Sequence, residues 1–356
     1  VAGVTRILGL ETSCDETAAA VVLDGRRVAS NVVASQHELH QTYGGVVPEL
    51  ASRAHLEQIG PILHAAVERA GVSLGDIDAI AVGNRPGLIG SLLVGVSAAK
   101  ALAWALGKPL VGVDHIQAHL YAAALHEGDH DPAPPQYPAL GLVISGGHTS
   151  LYHVLSPVQM TLLGRTIDDA IGEAYDKAAV ILDAGYPGGP KLDQLAQGGR
   201  AGAVEPLPRS MLGRESLDFS FSGLKTALLY RVRGLPQGRG DQATFTRTAA
   251  DLSGQERADL AAAFQQAAVQ AVITKLKRGL EAVDARCVII GGGVSANSLL
   301  RREAKALGDK LDIPVLIPPL SLCVDNAAMI AGLAHHLIHA GLVDDLTLPA
   351  IATTKV

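Results

Sequence analysis

A chain of 356 residues is long enough for two domains of ordinary size, each burying its own core. Lys plus Arg number 29 against 35 Asp plus Glu, a net charge of −6 that excludes a polycationic nucleic-acid binder acting through bulk charge but leaves room for a local basic patch. With 48 % hydrophobic and 18 % charged residues the chain is not disordered, and with 3 % aromatics its cores must be built mainly from Ala, Val, Leu and Ile.

Cys14, Cys287 and Cys323 are far apart and odd in number, so they form neither a disulfide framework nor a paired zinc module, which points to a reducing compartment. The first residues lead straight into an apolar pattern without a basic segment and cleavage site. The most apolar long stretch, Pro86 to Ala99, is 14 residues and is interrupted by three glycines, too short to span a bilayer. A soluble cytoplasmic protein without membrane contact is expected.

In chain order, residues 7–10 and 17–23 read as strands around the polar turn Glu11–Glu16. Leu50, Ala54, Ile59, Leu63 and Val67 recur near every 3.6 residues, predicting an amphipathic helix over 48–70. A strand over 77–82, a small-residue helix over 90–106, a strand over 111–113 and a helix over 115–125 follow. Residues 127–138 hold four prolines in 12 residues and form the best linker in the chain. The pattern then restarts. Strands over 139–144 and 150–155 flank Ser145-Gly-Gly-His-Thr149, echoing residues 7–23 and suggesting a duplicated domain. Helices are predicted over 167–182, 190–197, 222–232, 256–282, 295–308 and 325–340, with strands over 287–290 and 313–317. Alternating strands and helices indicate an α/β architecture with buried sheets. The expected division is a first lobe over 1–130, a second over 138–324, and the last helix packing near the first lobe.

Three turns rich in Gly or hydroxyls follow apolar strands: Glu11–Thr17, Ser145–Thr149 and Gly291–Asn297. Glycine removes the Cβ clash and lets backbone amides approach a phosphate or carbonyl oxygen. Each alone is ordinary turn chemistry; three of them, split across two lobes, suggest a nucleotide held in an interlobe cleft. Neither a P-loop nor a Rossmann glycine fingerprint is present. His115 and His119 stand one helical turn apart, a spacing that can chelate one ion or simply mark two helix histidines. Asp325, at a helix start, is the best third ligand, its competing role being an N-cap. Two imidazoles and a carboxylate suit iron or zinc with an open position. Position 116 is Ile where a zinc-protease HExxH helix carries Glu. Asp169, Glu173 and Asp176 share one helical face and are read as a solvated surface or the lining of a polar cleft. Gly188 and Gly189 would let a flat or sugar-like group pack beside Asp193.

Leu8-Gly-Leu-Glu-Thr-Ser-Cys-Asp-Glu-Thr17, Gly44-Gly-Val-Val-Pro-Glu-Leu-Ala-Ser-Arg53, His115-x-x-x-His119, Ser145-Gly-Gly-His-Thr149, Tyr186-Pro-Gly-Gly-Pro190, Asp218–Thr226, Gly292–Asn297 and Asp325–Ala331 run in one order along residues 6–335. In these motifs the chain closely resembles the bacterial TsaD/Gcp family, tRNA adenosine threonylcarbamoyltransferases once described as O-sialoglycoprotein endopeptidases. The resemblance implies a two-lobed, duplicated actin/Hsp70/sugar-kinase-like (ASKHA) fold around a cleft. It implies transfer of threonylcarbamoyl from threonylcarbamoyl-AMP to N6 of the adenosine following the tRNA anticodon, with release of AMP. It implies that His115, His119 and Asp325 hold one divalent ion, iron(II), with zinc as the alternative. It places substrate contacts on Val143, Ile144, Ser145, Gly146, Gly147, Asp176, Gly189, Asp193 and Asn297. Asp15 and Glu16 match acidic positions, and one of them is the expected acceptor of the amine proton. Implied partners are tRNA, a shorter TsaB-like paralogue and a small TsaE-like ATPase; the apolar helix over 90–106 is either a docking face or buried in its lobe.

Two departures from the family stand out. Asn84-Arg85 precedes Pro86 where the family has a small residue, so Arg85 either reaches a phosphate or is solvated. The family's basic, Trp-containing C-terminal segment is replaced by Leu348–Val356. Basic residues for a tRNA patch are then sought among Lys225, Arg231, Arg233, Arg239, Lys275, Lys277, Arg278, Arg301 and Arg302. The competing readings are a metal-dependent glycoprotein endopeptidase, weakened by the missing HExxH, and a nucleotide-binding kinase or scaffold of the same fold.

Overall fold

The structure, a computed structural model, describes residues 4–128, 131–209, 212–213, 215–238 and 244–353. The chain forms two compact units, Val1–Gln136 with Val154–Met160 and Pro318–Val356, and Tyr137–His153 with Thr161–Ile317. The return to the first unit falls at Pro318 rather than at 325, so the turn before the last helix belongs with that helix.

The first unit is built on a six-stranded sheet of order β5-β4-β1-β2-β3-β6. Its strands are β1 (Arg6–Glu11), β2 (Glu16–Leu23), β3 (Arg27–Ser35), β4 (Ala79–Arg85), β5 (Leu110–Asp114) and β6 (His126–Glu127). β1 pairs antiparallel with β2 and parallel with β4, which in turn runs parallel to β5. Both faces are covered, and the period of two decides which side chain goes where. Leu8 and Leu10 join Ile80, Val82, Val96 and Ala99 under α2 (Pro48–Arg69) and α3 (Ile89–Leu106). Ile7 joins Ala79, Val111, Val113 and Leu333 under α4 (His115–Tyr121) and the last helix, α10 (Ala327–His339). At Gly9 a Cβ would lie 2.9 Å from the backbone nitrogen of Ala331, so a glycine lets α10 rest directly on the strand.

α3 is longer than the apolar stretch noted in the sequence. Its 18 residues, broken by one charge at Lys100, are apolar and long enough by composition to cross a membrane. Ser91, Leu92, Gly95, Val96, Ala99 and Ala103 are its buried face, packed against β4 and α2.

The second unit repeats the plan. Its sheet runs β11-β10-β7-β8-β9, with β7 (Ala139–Ile144), β8 (Thr149–Ser156), β9 (Gln159–Arg165), β10 (Val288–Gly291) and β11 (Val315–Leu316). Strand for strand this is β5-β4-β1-β2-β3 of the first sheet, which is the duplication suggested by the two strand–turn–strand motifs. Its core joins Leu140, Leu142, Ile144 and Ile290 to α5 (Ile171–Ile181), α6 (Gly188–Gln197), α7 (Ser222–Arg233), α8 (Gly254–Ala282) and α9 (Ser298–Leu311). β3, β9 and the short α1 (His37–Gln41) are elements that the sequence patterns did not yield.

Candidate active site

The first cluster is assembled in the first unit from α4 and the turn before α10. β5 hands directly to α4 at Asp114, whose side chain accepts from the amides of Ile116 and Gln117 at 2.9 and 3.1 Å and so caps the helix. One turn of α4 then sets His115 edge-to-face against His119, ring centroids 4.5 Å apart and ring planes at 80°. From the turn before α10, Asp325 brings Oδ1 to 3.1 Å from His119 Nε2 and 3.5 Å from His115 Nε2. The N-cap role falls instead to Asn326, whose side chain accepts from Met329.

The donors fit a divalent transition ion. One ligand atom from each of the three residues lies within 4.8 Å of the others. His119 is wholly buried, and among the described residues its Nδ1 has no hydrogen-bond partner, while its Nε2 has only the Asp325 carboxylate beside it. An imidazole so placed is costly unless a ligand takes its lone pair. Burial and the neighbouring His115 lower the His119 pKa, keeping it neutral as a metal ligand must be. Burial also opposes charge on His115, but the carboxylates of Asp325 and Glu11 outweigh it and raise its pKa. Asp325 is buried too, and the adjoining imidazoles hold its carboxyl well below the ordinary range.

Asp15, in the β1–β2 turn, and Glu16, the first residue of β2, form a second group with His37. His37 Nε2 lies 3.4 Å from Glu16 Oε1 and 3.9 Å from Asp15 Oδ2. Burial, then the charges of Asp325 and Asp15, raises the Glu16 pKa well above the carboxylate range. Arg85 is not merely solvated. Its Nε sits 3.5 Å from Asp114 Oδ2, pairing the helix cap.

The second unit gathers the other predicted residues. Val143 and Ile144 are fully buried at the end of β7. The turn that follows closes on itself, Ser145 N donating to His148 O at 2.8 Å and His148 N to Ser145 Oγ at 3.2 Å. A Cβ at Gly146 or Gly147 would meet nothing within 4 Å, so this backbone is open. A Cβ at Gly172, by contrast, would lie 2.5 Å from the Ser145 carbonyl; that glycine seats α5 on the turn. Asp176 accepts from the amide of Gly189 at 3.2 Å, and Gly188 has no room for a side chain beside it. Asp193 accepts from Gln265 Nε2 at 2.9 Å, Ser298 N at 3.1 Å and Ser298 Oγ at 2.7 Å. Asn297 caps α9 through Leu300 N and donates to Gln265 Oε1 at 3.1 Å. Gln265 and Ser298, which the sequence did not single out, also line a cavity of about 420 Å³ with Gln266, Arg302 and Glu303.

The acids expected on one helical face are divided differently. α5 begins at Ile171, so Asp168 and Asp169 precede it. Asp168 accepts from Ser220 Oγ, Phe221 N and Ser222 Oγ at 2.6 to 2.8 Å and anchors the start of α7. Asp169 pairs with Lys177 and Lys225, and Glu173 with Lys177. Of the basic residues considered for a nucleic-acid patch, Lys225 and Arg231 are thus ion-paired, Arg231 with Glu205. Lys275 is buried and donates to Ser216 O, and Arg278 donates to Gly213 O and Ser216 O. Arg301 donates to Ser295 O. Arg239 lies outside the described residues.

Comparison with known proteins gives these clusters a family. The chain is 51 % identical over 345 residues to a tRNA N6-adenosine threonylcarbamoyltransferase of Symbiobacterium thermophilum, covering 97 % of this chain and 95 % of that protein. It is 49 % identical to the enzyme of the same name from Trichlorobacter lovleyi, covering 98 % and 96 %. Among solved structures it is similar to HypF of T. kodakarensis (TM-score 0.58, 15 % identity, 95 % of this chain and 48 % of that one). It is also similar to component A of the (R)-2-hydroxyglutaryl-CoA dehydratase of Acidaminococcus fermentans (TM-score 0.51, 13 % identity, 93 % and 98 %). At such identities the likeness speaks for the ASKHA-type fold alone. The family model TsaD, tRNA N6-adenosine threonylcarbamoyltransferase, matches residues 27–332, and the chain belongs to that family.

Proposed function

We propose that the chain transfers the threonylcarbamoyl group of threonylcarbamoyl-AMP to N6 of the adenosine that follows the tRNA anticodon, giving t6A and AMP. The observation that carries this reading is relatedness along the whole chain at about half identity to enzymes of that name. In the reaction the adenosine amine attacks the carbamoyl carbon. A C–N bond forms, the bond from that carbon to the phosphate oxygen breaks, and AMP leaves with the electron pair. A weak aromatic amine needs close positioning, removal of its proton, and stabilisation of charge building on oxygen.

Those tasks map onto the two clusters. Glu16, with its raised pKa, is the acceptor of the amine proton, and Asp15 is the neighbouring charge that helps keep it raised. Gly146 and Gly147, where no neighbour lies within 4 Å of a side-chain position, let a ligand approach the turn, and we assign its backbone amides as donors to phosphate or carbamoyl oxygen. Asp193 and Asn297 hydrogen-bond to Gln265 and Ser298, which line a cavity whose size suits a nucleoside, and we assign Asp193 and Asn297 to the adenylate. Asp176 and Gly189 belong to the same binding surface, with Val143 and Ile144 supporting it from β7. His115, His119 and Asp325 would hold a divalent ion, iron(II) or zinc, which when bound would supply Lewis acidity toward an oxygen of the substrate.

The substrate implies a cytoplasmic protein, in keeping with cysteines that are few and far apart in the chain. For a TsaB-like paralogue we assign the face of α2 and α3 that leaves Leu56, Ile89, Leu93 and Trp104 exposed; a TsaE-like ATPase is the further partner. Incubation with unmodified tRNA and threonylcarbamoyl-AMP, with and without those partners, tests the reading by nucleoside mass analysis. Formation of t6A supports it. Metal-dependent cleavage of a glycoprotein, with no product on tRNA under any condition, would replace it.

A further inference from the structure

The two imidazoles of the metal cluster are not equivalent. His115 Nδ1 lies 3.1 Å from Glu11 Oε2 and 3.2 Å from Ser13 Oγ, whereas Nδ1 of His119 has no hydrogen-bond partner among the described residues. Glu11 is the last residue of β1, fully buried, and both its oxygens are engaged, since Oε1 accepts from Ser13 N at 2.5 Å.

The surrounding backbone leaves this carboxylate no other place. A Cβ at Gly83, on the adjacent strand β4, would fall on Glu11 Oε2 and lie 3.2 Å from its Cδ. A Cβ at Gly87 would lie 2.6 Å from the Ser13 carbonyl, to which Leu88 N donates at 2.8 Å. The turn carrying these glycines is strapped from outside by the C-terminal segment. Asn84 Nδ2 donates to Pro349 O at 3.0 Å, Ile351 N to Asn84 O at 2.9 Å, and Gly87 N to Ala352 O at 3.2 Å.

We infer that Glu11 is a positioning residue for the metal centre, holding His115 in the tautomer with its proton on Nδ1 so that the Nε2 lone pair is presented beside Asp325. This rests on the metal reading above. A carboxylate on the far nitrogen fixes the ring and raises the donor strength of the near one. It also completes the charge. Asp325 and Glu11 set two carboxyl groups beside the imidazoles, an acidic environment that a divalent ion would complement inside a buried site. The asymmetry makes His115 the pre-oriented ligand, while His119 has no such hydrogen-bond partner on its Nδ1 among the described residues.

The test is ion affinity of the full-length chain, measured by chelator competition with Zn²⁺ and Co²⁺, for wild type, Glu11→Gln and His119→Ala. Glutamine keeps the size and an acceptor oxygen but removes the charge. A 10–100-fold loss of affinity is expected in Glu11→Gln, with the Co²⁺ absorption of a three-ligand site retained. Unchanged affinity overturns the inference. Because a buried substitution risks misfolding, nitrogen-15 NMR of the Zn²⁺-loaded wild type reads the His115 tautomer directly. A proton on Nδ1 supports the inference, and one on Nε2 overturns it. A wild type that binds neither ion overturns the metal reading itself, and is thereby distinct from a wild type that binds and a Glu11→Gln that binds equally.

Discussion

Asp325 Oδ1 lies 3.1 Å from His119 Nε2 although the two residues are separated by more than half of the chain, while the adjoining Asn326 performs the helix capping that Asp325 was free to perform. The division of labour between neighbours leaves the carboxylate available to an ion. His119→Ala and Asp325→Ala are each expected to lower ion affinity by more than roughly 100-fold, since they remove a direct ligand, and to abolish transferase activity in parallel. Metal content after dialysis and t6A yield should fall together. Full activity in a metal-free variant would refute a role for the ion.

Glu16 should govern the acid limb of the activity profile. Its pKa is raised, so the proton-accepting form is lost as pH falls through that raised value, and the rate falls with it. Glu16→Gln is expected to lower kcat by about 10²–10⁴-fold. Asp15→Asn removes a like charge, lowers the Glu16 pKa, and should move the acid limb to lower pH. An acid limb unmoved by Asp15→Asn would argue for a different proton acceptor.

Gly292 holds a position no other residue can take. Its φ is +94°, and a Cβ there would collide with the carbonyl of Ile144, which carries the strand end leading into the Ser145 turn. Gly292→Ala combines backbone strain with overpacking and should cost about 2–5 kcal/mol. Urea denaturation of the variant should show a lower midpoint, and AMP binding should weaken because the Ser145 turn must shift. A variant with wild-type stability would mean that β7 and the Gly292 turn are not held together as described.

What could be read from the sequence follows from what periodicity encodes. β1, β4, α2 and α8 carry strong apolar patterns and were legible to within a few residues. β3 (Arg-Val-Ala-Ser-Asn-Val-Val-Ala-Ser) and β9 mix polar and apolar residues because they lie toward sheet edges, so alternation is diluted there. The His115–His119 pair is visible as one helical turn, but only tertiary structure brings Asp325 to it. Glu11 carried no signal of its own. It reads as one more acid in a polar turn until β5 and α4 deliver His115 to its carboxylate. Gln265 was hidden for the opposite reason, lying within the long α8 on a stretch that reads as ordinary helix surface and core.

The face of α10 away from the metal cluster offers a test independent of catalysis. His336 Nε2 lies 2.8 Å from the Tyr121 hydroxyl, which donates to Gly25 O. Burial and the neighbouring His335 and His339 lower its pKa from 6.5 to about 4. Between those two values the unfolded chain binds a proton that the folded chain does not, so stability is lost as pH falls from 6.5 toward 4 and changes no further below. With the ring partly solvated, the contribution is about 1–2 kcal/mol rather than the full shift. His336→Gln should be less stable than wild type at neutral pH, where packing is lost. That gap should narrow or reverse by pH ~4.5, where the glutamine has no proton to refuse. Calorimetric melting of both proteins across this range decides the matter, and a gap that stays constant with pH would show that His336 titrates normally in the folded protein.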